Sequence, residues 1–300
     1  MEHSRQSVGF SPVLKAAFWM AGTITAFCFM AISGRMVGNA LDTFEIMAYR
    51  SLLGIGIVVA VGAFSGKLHQ VKVNRLPLHL VRNISHFTGQ NLWFFALTVI
   101  PLAQLIALEF TYPIWVTILA PFFLHERLTR MRALAAVVGF IGILIVVRPG
   151  MTTLNVGTIA ALFCALGFAG SAMATRKLTE DQSILCILFW LAVMQAVLGL
   201  ICAGIDGDIA LPSLAVVPWL IVIGCSGLTA HFCLTNALAL APATIVTPMD
   251  FARLPVLAVV GAVFYGEALD PFLFLGGAII FAAIYTILVS PSAPKPPKPL

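Results

Sequence analysis

Four ionisable side chains, Arg50, Glu109, Asp250 and Arg253, stand inside runs of apolar residues. A charged group at membrane depth costs roughly 2.5–3.5 kcal/mol on insertion scales, so each one marks a site unless a partner neutralises it. Glu109 and Asp250 can each hold an ammonium group or bind a proton; the plainer alternative is a neutral or paired acid packing helix against helix. Asp250 and Arg253 are three residues apart, close enough to pair on one helix face. If that pair does not form, the planar guanidinium of Arg253 is free to hold a carboxylate. Arg50 can pack against Glu45 or Glu109, or meet a ligand.

Arg82, His86 and Gln90 follow one another at four-residue steps and Trp93 continues the stripe, so all four line one helix face. A polar stripe within an apolar helix must face protein or water. His231 and Thr235 repeat the four-residue step further along the chain. Two histidines so placed can titrate near neutrality or simply bridge helices by hydrogen bonds. Tyr112 and Trp115 follow Glu109 closely and are expected to wall a pocket suited to a cation or an aromatic ring. Trp219 is expected at an interfacial aromatic belt. The candidate ligand-contacting set is therefore Arg50, His86, Gln90, Trp93, Glu109, Tyr112, Trp115, His231, Asp250 and Arg253.

Glu126 and Glu267 look like repeated catalytic acids, but each precedes a helix start. Thr129 and Asp270, three residues on, are expected N-caps, with Pro271 at a first helical position. A capping role for both glutamates is the expectation. The chain has no G-x-x-x-x-G-K-[ST], no H-E-x-x-H and no Rossmann glycine fingerprint, so neither an ATP-driven pump nor a metalloprotease is indicated. No catalytic residue, metal site or cofactor is expected.

The elements that hold these residues follow from composition. Of 300 residues, 60% are hydrophobic and only 10% charged, against roughly 25% charged in soluble domains. That balance cannot cover a water-soluble surface, and it points to an all-α polytopic membrane protein. The net charge of +5 then reports topology rather than a nucleic-acid partner. The six cysteines fall singly in apolar runs and are expected to act as small buried hydrophobes. The first apolar stretch is too long for a signal-peptide core and reads as a span.

At about 20 apolar residues per crossing, ten spans are expected: 13–32, 43–64, 78–99, 103–124, 131–147, 155–174, 184–204, 215–238, 243–265 and 271–289. The tail 291–300, rich in Pro and Lys, is expected to be disordered. An even count puts both termini on one side. Thirteen of the 17 Lys and Arg fall on that side, with Arg35 and Arg148 opposite and Arg50 and Arg253 within spans. Both termini are therefore expected in the cytoplasm.

Sliding the sequence by 141 positions superposes Pro101 on Pro242, Glu109 on Asp250, Glu126 on Glu267, Gln90 on His231 and Arg35 on Arg176, without gaps. The chain reads as a duplicated five-helix unit, 13–150 and 151–290, behind a short cytoplasmic segment, 1–12. Because five is odd, the second copy enters the membrane inverted, about a pseudo-two-fold axis in the membrane plane.

The stretch from Pro101 through Leu-His-Glu-Arg-Leu (124–128) to Arg148-Pro149-Gly150, and its copy from Pro242 through Tyr-Gly-Glu-Ala-Leu (265–269), resemble the two EamA units of the drug/metabolite transporter superfamily. With the ten-span count and Tyr49-Arg50, the similarity covers residues 13–290. The resemblance implies a basket of ten helices, eight around a central cavity and the fifth and tenth peripheral. It also implies secondary transport of a small metabolite by alternating access, not an enzyme. Amino-acid exporters of the YddG type are the nearest subgroup, so export of an aromatic or other neutral amino acid across a bacterial inner membrane is the first expectation. Uptake of a larger aromatic metabolite, such as a vitamin or a nucleoside-like compound, is the alternative. The expected partners are that substrate, the bilayer and a coupling proton, with a monomer as the working unit.

Overall fold

The computed structural model describes residues 11–38, 40–100, 102–126, 128–147, 155–205, 207–265 and 271–289. All regular structure among them is helical. The first half comprises α1 (Pro12–Val37), α2 (Thr43–Phe64), α3 (Leu76–Val99), α4 (Leu102–Glu109), α5 (Tyr112–Phe123) and α6 (Arg130–Val147). The second comprises α7 (Val156–Leu178), α8 (Ile184–Ala203), α9 (Val217–Leu240), α10 (Ala243–Met249), α11 (Arg253–Tyr265) and α12 (Pro271–Val289), with a 3-10 turn, Asp250–Ala252, between α10 and α11.

The boundaries have local causes. Ser11 accepts from the Leu14 amide ahead of Pro12, and Asn155 and Ser183 cap α7 and α8 in the same way. At α2 the cap is reciprocal: Asp42 Oδ1 accepts from the Glu45 amide at 2.7 Å, and Glu45 Oε2 accepts from the Asp42 amide at 2.8 Å. The other Glu45 oxygen takes the Ala210 amide. Glu45 is thus committed to backbone, not to Arg50 as one sequence alternative had it. Helix α1 also runs past the expected end at 32 to Val37.

Expected spans four and nine are not continuous helices. Pro113 has no N–H for the Glu109 carbonyl four residues before it, and α4 gives way to α5 around Phe110 and Thr111. Pro248 and Pro255 flank the corresponding break between α10 and α11. Five described helices, α1, α2, α7, α8 and α9, are long and apolar enough to cross a bilayer by length and composition. Helix α3 has 24 residues, but it carries His79, Arg82, Asn83, His86, Gln90 and Asn91 on its buried face.

Helix pairing is closed under exchange of the halves. α2 packs on α8 and α6 on α12, each pair mapping onto itself, while α1 on α9 maps to α7 on α3. The half-helices follow suit, α5 against α10 and α11 against α4. The α3–α7 crossing is close because of Gly167, where an added Cβ would lie 2.7 Å from the Ser85 carbonyl oxygen and 2.9 Å from Gly89 Cα. Of the cysteines, Cys28, Cys164, Cys186 and Cys233 are buried and Cys202 is half-buried, but Cys225 is exposed on the outer face, unlike the expectation for all six.

Candidate functional site

Both helix breaks deliver an acid to the same place. Glu109 ends α4, Asp250 opens the 3-10 turn after α10, and Arg253 begins α11. Arg253 donates to Glu109 and, at 3.1 Å, to Asp250 Oδ2, with all three side chains about 4% exposed. The Asp250–Arg253 pair expected from the sequence is present, but it is two-thirds of the arrangement. The second acid comes from the other half of the chain.

Neighbours fix the triad. Trp93 Nε1 donates to Glu109 Oε2 at 2.7 Å, and the Tyr112 hydroxyl donates to Asp250 Oδ2 at 3.1 Å. The guanidinium lies over the rings of Phe27 and Phe110, at 5.0 and 4.9 Å from their centroids. With both acids ionised, two carboxylates share one cation, and the cluster carries one surplus negative charge. Asp250 Oδ1 and Arg253 Nε have no hydrogen-bond partner. An external cation or a proton is the chemical complement of that surplus.

The triad opens into a cavity lined along α3 by Arg82, His86, Gln90 and Trp93, with Phe168, Ser171 and Thr175 from α7 and His231 and Thr235 from α9. The His86 and His231 rings meet edge to face at 4.5 Å, with Phe168 at 6.0 Å from His86 and Phe27 at 6.1 Å from His231. These rings make a partly aromatic wall. His86 Nε2, His231 Nε2 and Gln90 Nε2 are buried and unpartnered.

Eight of the ten candidates from the sequence thus surround one cavity. The other two do not. Trp115 is 38% exposed and lies on the outside of the bundle, so Tyr112 alone of that pair reaches the site. Arg50 is buried behind His231, in an adjoining cleft with Ser51 and Gln195. Its nearest polar partners are the sulfurs of Met47 and Met30, at 3.7 and 3.9 Å, and neither Glu45 nor Glu109 pairs with it. Gly227 makes room for it: a Cβ there would lie 3.0 Å from an Arg50 terminal nitrogen.

The sequence reading missed Ser171 and Thr175, although their four-residue spacing on α7 mirrors the stripe on α3. It also missed the role of Asn83 and Gln195, polar residues in apolar runs, whose side chains join α3 to α8 at 3.2 Å. Glu126 caps a helix, but not the one it precedes. Its carboxylate takes the Ala243 amide at 2.8 Å and the Thr244 amide and hydroxyl at 3.1 and 2.8 Å, with Arg176 Nε at 3.7 Å. It therefore caps α10 in the opposite half, while Thr129 serves α6 by accepting from the Arg132 amide. Glu267 and Asp270 lie outside the described residues.

Known proteins resemble this chain over most of its length. A model of the EamA-like transporter family matches residues 14–148 and again 155–289. The S-adenosylmethionine uptake transporter of Rickettsia prowazekii is 26% identical over 282 residues, covering 92% of this chain and 93% of that one. The riboflavin transporter of Vibrio cholerae is 26% identical over 276 residues, covering 90% and 92%, and that of Rhizobium johnstonii is 31% identical over 212 residues, covering 70% and 69%. A crystal structure with 18% identity superposes with a TM-score of 0.75 over 90% of this chain and 95% of that one, which shows the fold. With a family model matched twice over nearly its whole length, the chain belongs to the EamA-like transporter family, as a multi-pass membrane protein that carries a small metabolite and is not an enzyme.

Proposed function

We propose that this protein takes up a ring-bearing metabolite of nucleoside or flavin size across the inner membrane of a bacterium. The observation that carries the reading is the buried triad of Glu109, Asp250 and Arg253, which sits at two helix breaks in corresponding positions and faces a partly aromatic cavity. Discontinuous helices at the repeat interface are where secondary transporters bind substrate. Relatives aligned over about nine-tenths of the chain are named as an S-adenosylmethionine uptake transporter and a riboflavin transporter, which supports a large ring compound, and in the first case uptake, over the amino-acid export first expected.

In this reading the chain crosses the membrane ten times with both termini in the cytoplasm, and the two inverted five-helix halves rock about the triad. The pairing of helices, closed under exchange of halves, supports such a two-fold relation. Trp93, Tyr112, Glu109, Asp250 and Arg253 meet the cationic or polar part of the substrate, Phe27 and Phe168 lie along its ring system, and His86, Gln90 and His231 offer it polar contacts. The surplus carboxylate binds the coupling proton, and one chain suffices as the transporting unit.

Accumulation in a bacterial strain lacking its own carriers tests this, with labelled S-adenosylmethionine, riboflavin and tryptophan offered in parallel. Expression should raise intracellular label for a ring-bearing compound of nucleoside or flavin size and leave tryptophan unchanged. Lower tryptophan retention, with no accumulation of the other two, would return the protein to amino-acid export.

A further inference from the structure

The cavity has a second pole, of opposite sign to the triad. Arg82 is 1% exposed, and its partners are neutral: Thr175 Oγ1 at 3.0 Å from Nε and Asn83 Oδ1 at 3.2 Å from Nη1. Arg50, 6% exposed, has only the Met47 and Met30 sulfurs as hydrogen-bond partners among the described residues. Neither arginine forms an ion pair among the described residues, although both are buried. An uncompensated buried charge costs several kcal/mol. Beside them Gln90 Nε2, His86 Nε2 and His231 Nε2 are left without partners. All three can donate, to the same cavity that Arg82 lines.

Trp93, which anchors Glu109, lies 11 residues beyond Arg82 on α3, about 16 Å along the helix axis. With both acids ionised, one cavity therefore offers surplus negative charge at the triad and surplus positive charge, with unfilled donors, at Arg82. Arg253 cannot supply the second pole, because both acids already hold it.

We propose that Arg82, with Gln90, His86 and His231, forms an oxyanion subsite for an anionic group of the transported metabolite, which is therefore amphoteric. Arg50, behind His231, adds to the positive potential without touching the ligand. This deepens the uptake reading and rests on it for the size of the ligand. It favours a substrate with a carboxylate at one end and a cation at the other over a neutral ring compound. Charge-assisted hydrogen bonds from a guanidinium to a carboxylate are among the stronger polar contacts available in such a site.

The test uses the full chain in nanodiscs and two probes that differ by one carboxylate, S-adenosylmethionine and its decarboxylated form. Wild-type protein should bind the carboxylated probe about tenfold more tightly or better. Arg82→Gln should bring the two affinities within about twofold by weakening the carboxylated probe only, and Arg82→Lys should restore part of the preference. Equal affinities in wild type, or a preference untouched by Arg82→Gln, would overturn the subsite.

A second arm needs no organic substrate. Sodium acetate should raise the melting temperature of wild-type protein by several degrees over sodium chloride at equal ionic strength, and should not do so for Arg82→Gln. If acetate protects through Arg82 while neither probe binds, the subsite stands and a nucleoside-like substrate falls. If both probes bind equally and acetate gives no protection, the subsite falls and the uptake reading survives. Equal protection by chloride would mean a halide site and overturn the proposal, and no binding with no protection would overturn the subsite and a nucleoside-like substrate together, leaving a flavin-sized one to the accumulation assay.

Discussion

Arg253, the first residue of α11, and Glu109, the last of α4, tie the two halves of the chain together by an ion pair across 144 positions. Asp250 holds the same guanidinium from its own side, so the two acids matched by the 141-residue repeat converge on one cation. The pseudo-symmetry is broken at that cation, since position 112, the counterpart of Arg253, is Tyr112. Its hydroxyl donates to Asp250 in turn.

Glu109→Gln should insert and fold, because it leaves Arg253 and Asp250 as a neutral pair. Uptake driven by a proton gradient should fall at least about tenfold while substrate exchange at equal pH continues, if the surplus carboxylate carries the proton. Parallel gradient-driven and exchange assays check this. Asp250→Asn removes an acid that also anchors Tyr112, and its yield should drop more.

Glu126→Gln should destabilise the protein by about 1–2 kcal/mol, the usual cost of a lost helix cap, and leave substrate affinity within about twofold. Thermal melting and equilibrium binding on the same preparation separate the two effects. A loss of binding at unchanged stability would make Glu126 a ligand contact.

Gly167→Ala should lower stability by about 1–3 kcal/mol, because its methyl group meets the Ser85 carbonyl and Gly89 across the α3–α7 crossing. Gly56→Ala, where nothing lies within 4 Å, is the control and should be neutral or slightly stabilising on an exposed helix.

The Asp181 carboxylate lies outside the spans. Burial raises its pKa, but the hydrogen bonds from Arg75, at 2.7 Å, and Gln182 together with the charges of Arg75 and Lys177 outweigh this and hold it below the ordinary carboxylate value. Its contribution is present above that ordinary value and is lost as pH falls through the lowered one. Both partners are more than a third exposed, so Arg75→Gln should move the melting temperature little at pH 7 and less at pH 3. Melting curves at the two pH values test the sign.

Much of this was legible in the sequence for a physical reason: apolar length and repeat register are local properties. The span 43–64 and the start of span ten at Pro271 agree with α2 and α12. The matched acids Glu109 and Asp250 do face one cavity. What escaped depends on packing between halves. Arg253 could be paired on its own helix with Asp250 or left for a substrate carboxylate, with nothing local to point to Glu109, and Glu126 looked like the cap of the next helix when it serves α10 instead. Spans four and nine read as continuous because hydropathy is blind to the N–H that Pro113, Pro248 and Pro255 lack. Trp115 is three residues from Tyr112 on α5, yet it faces out of the bundle while Tyr112 reaches the cavity, because that spacing leaves the two side chains about 60° apart around the helix.

In the proposed mode of uptake, a ring-bearing metabolite crosses the membrane through the site held by Glu109, Asp250 and Arg253. Counterflow in proteoliposomes tests it most directly: vesicles loaded with unlabelled S-adenosylmethionine or riboflavin are diluted into a trace of the same labelled compound. Wild-type vesicles should accumulate label transiently for one of them. Exchange should persist in Glu109→Gln and be lost in Arg253→Ala, which leaves two buried acids without their cation. No counterflow of either compound in vesicles that exchange amino acids, or full exchange in Arg253→Ala, would contradict it.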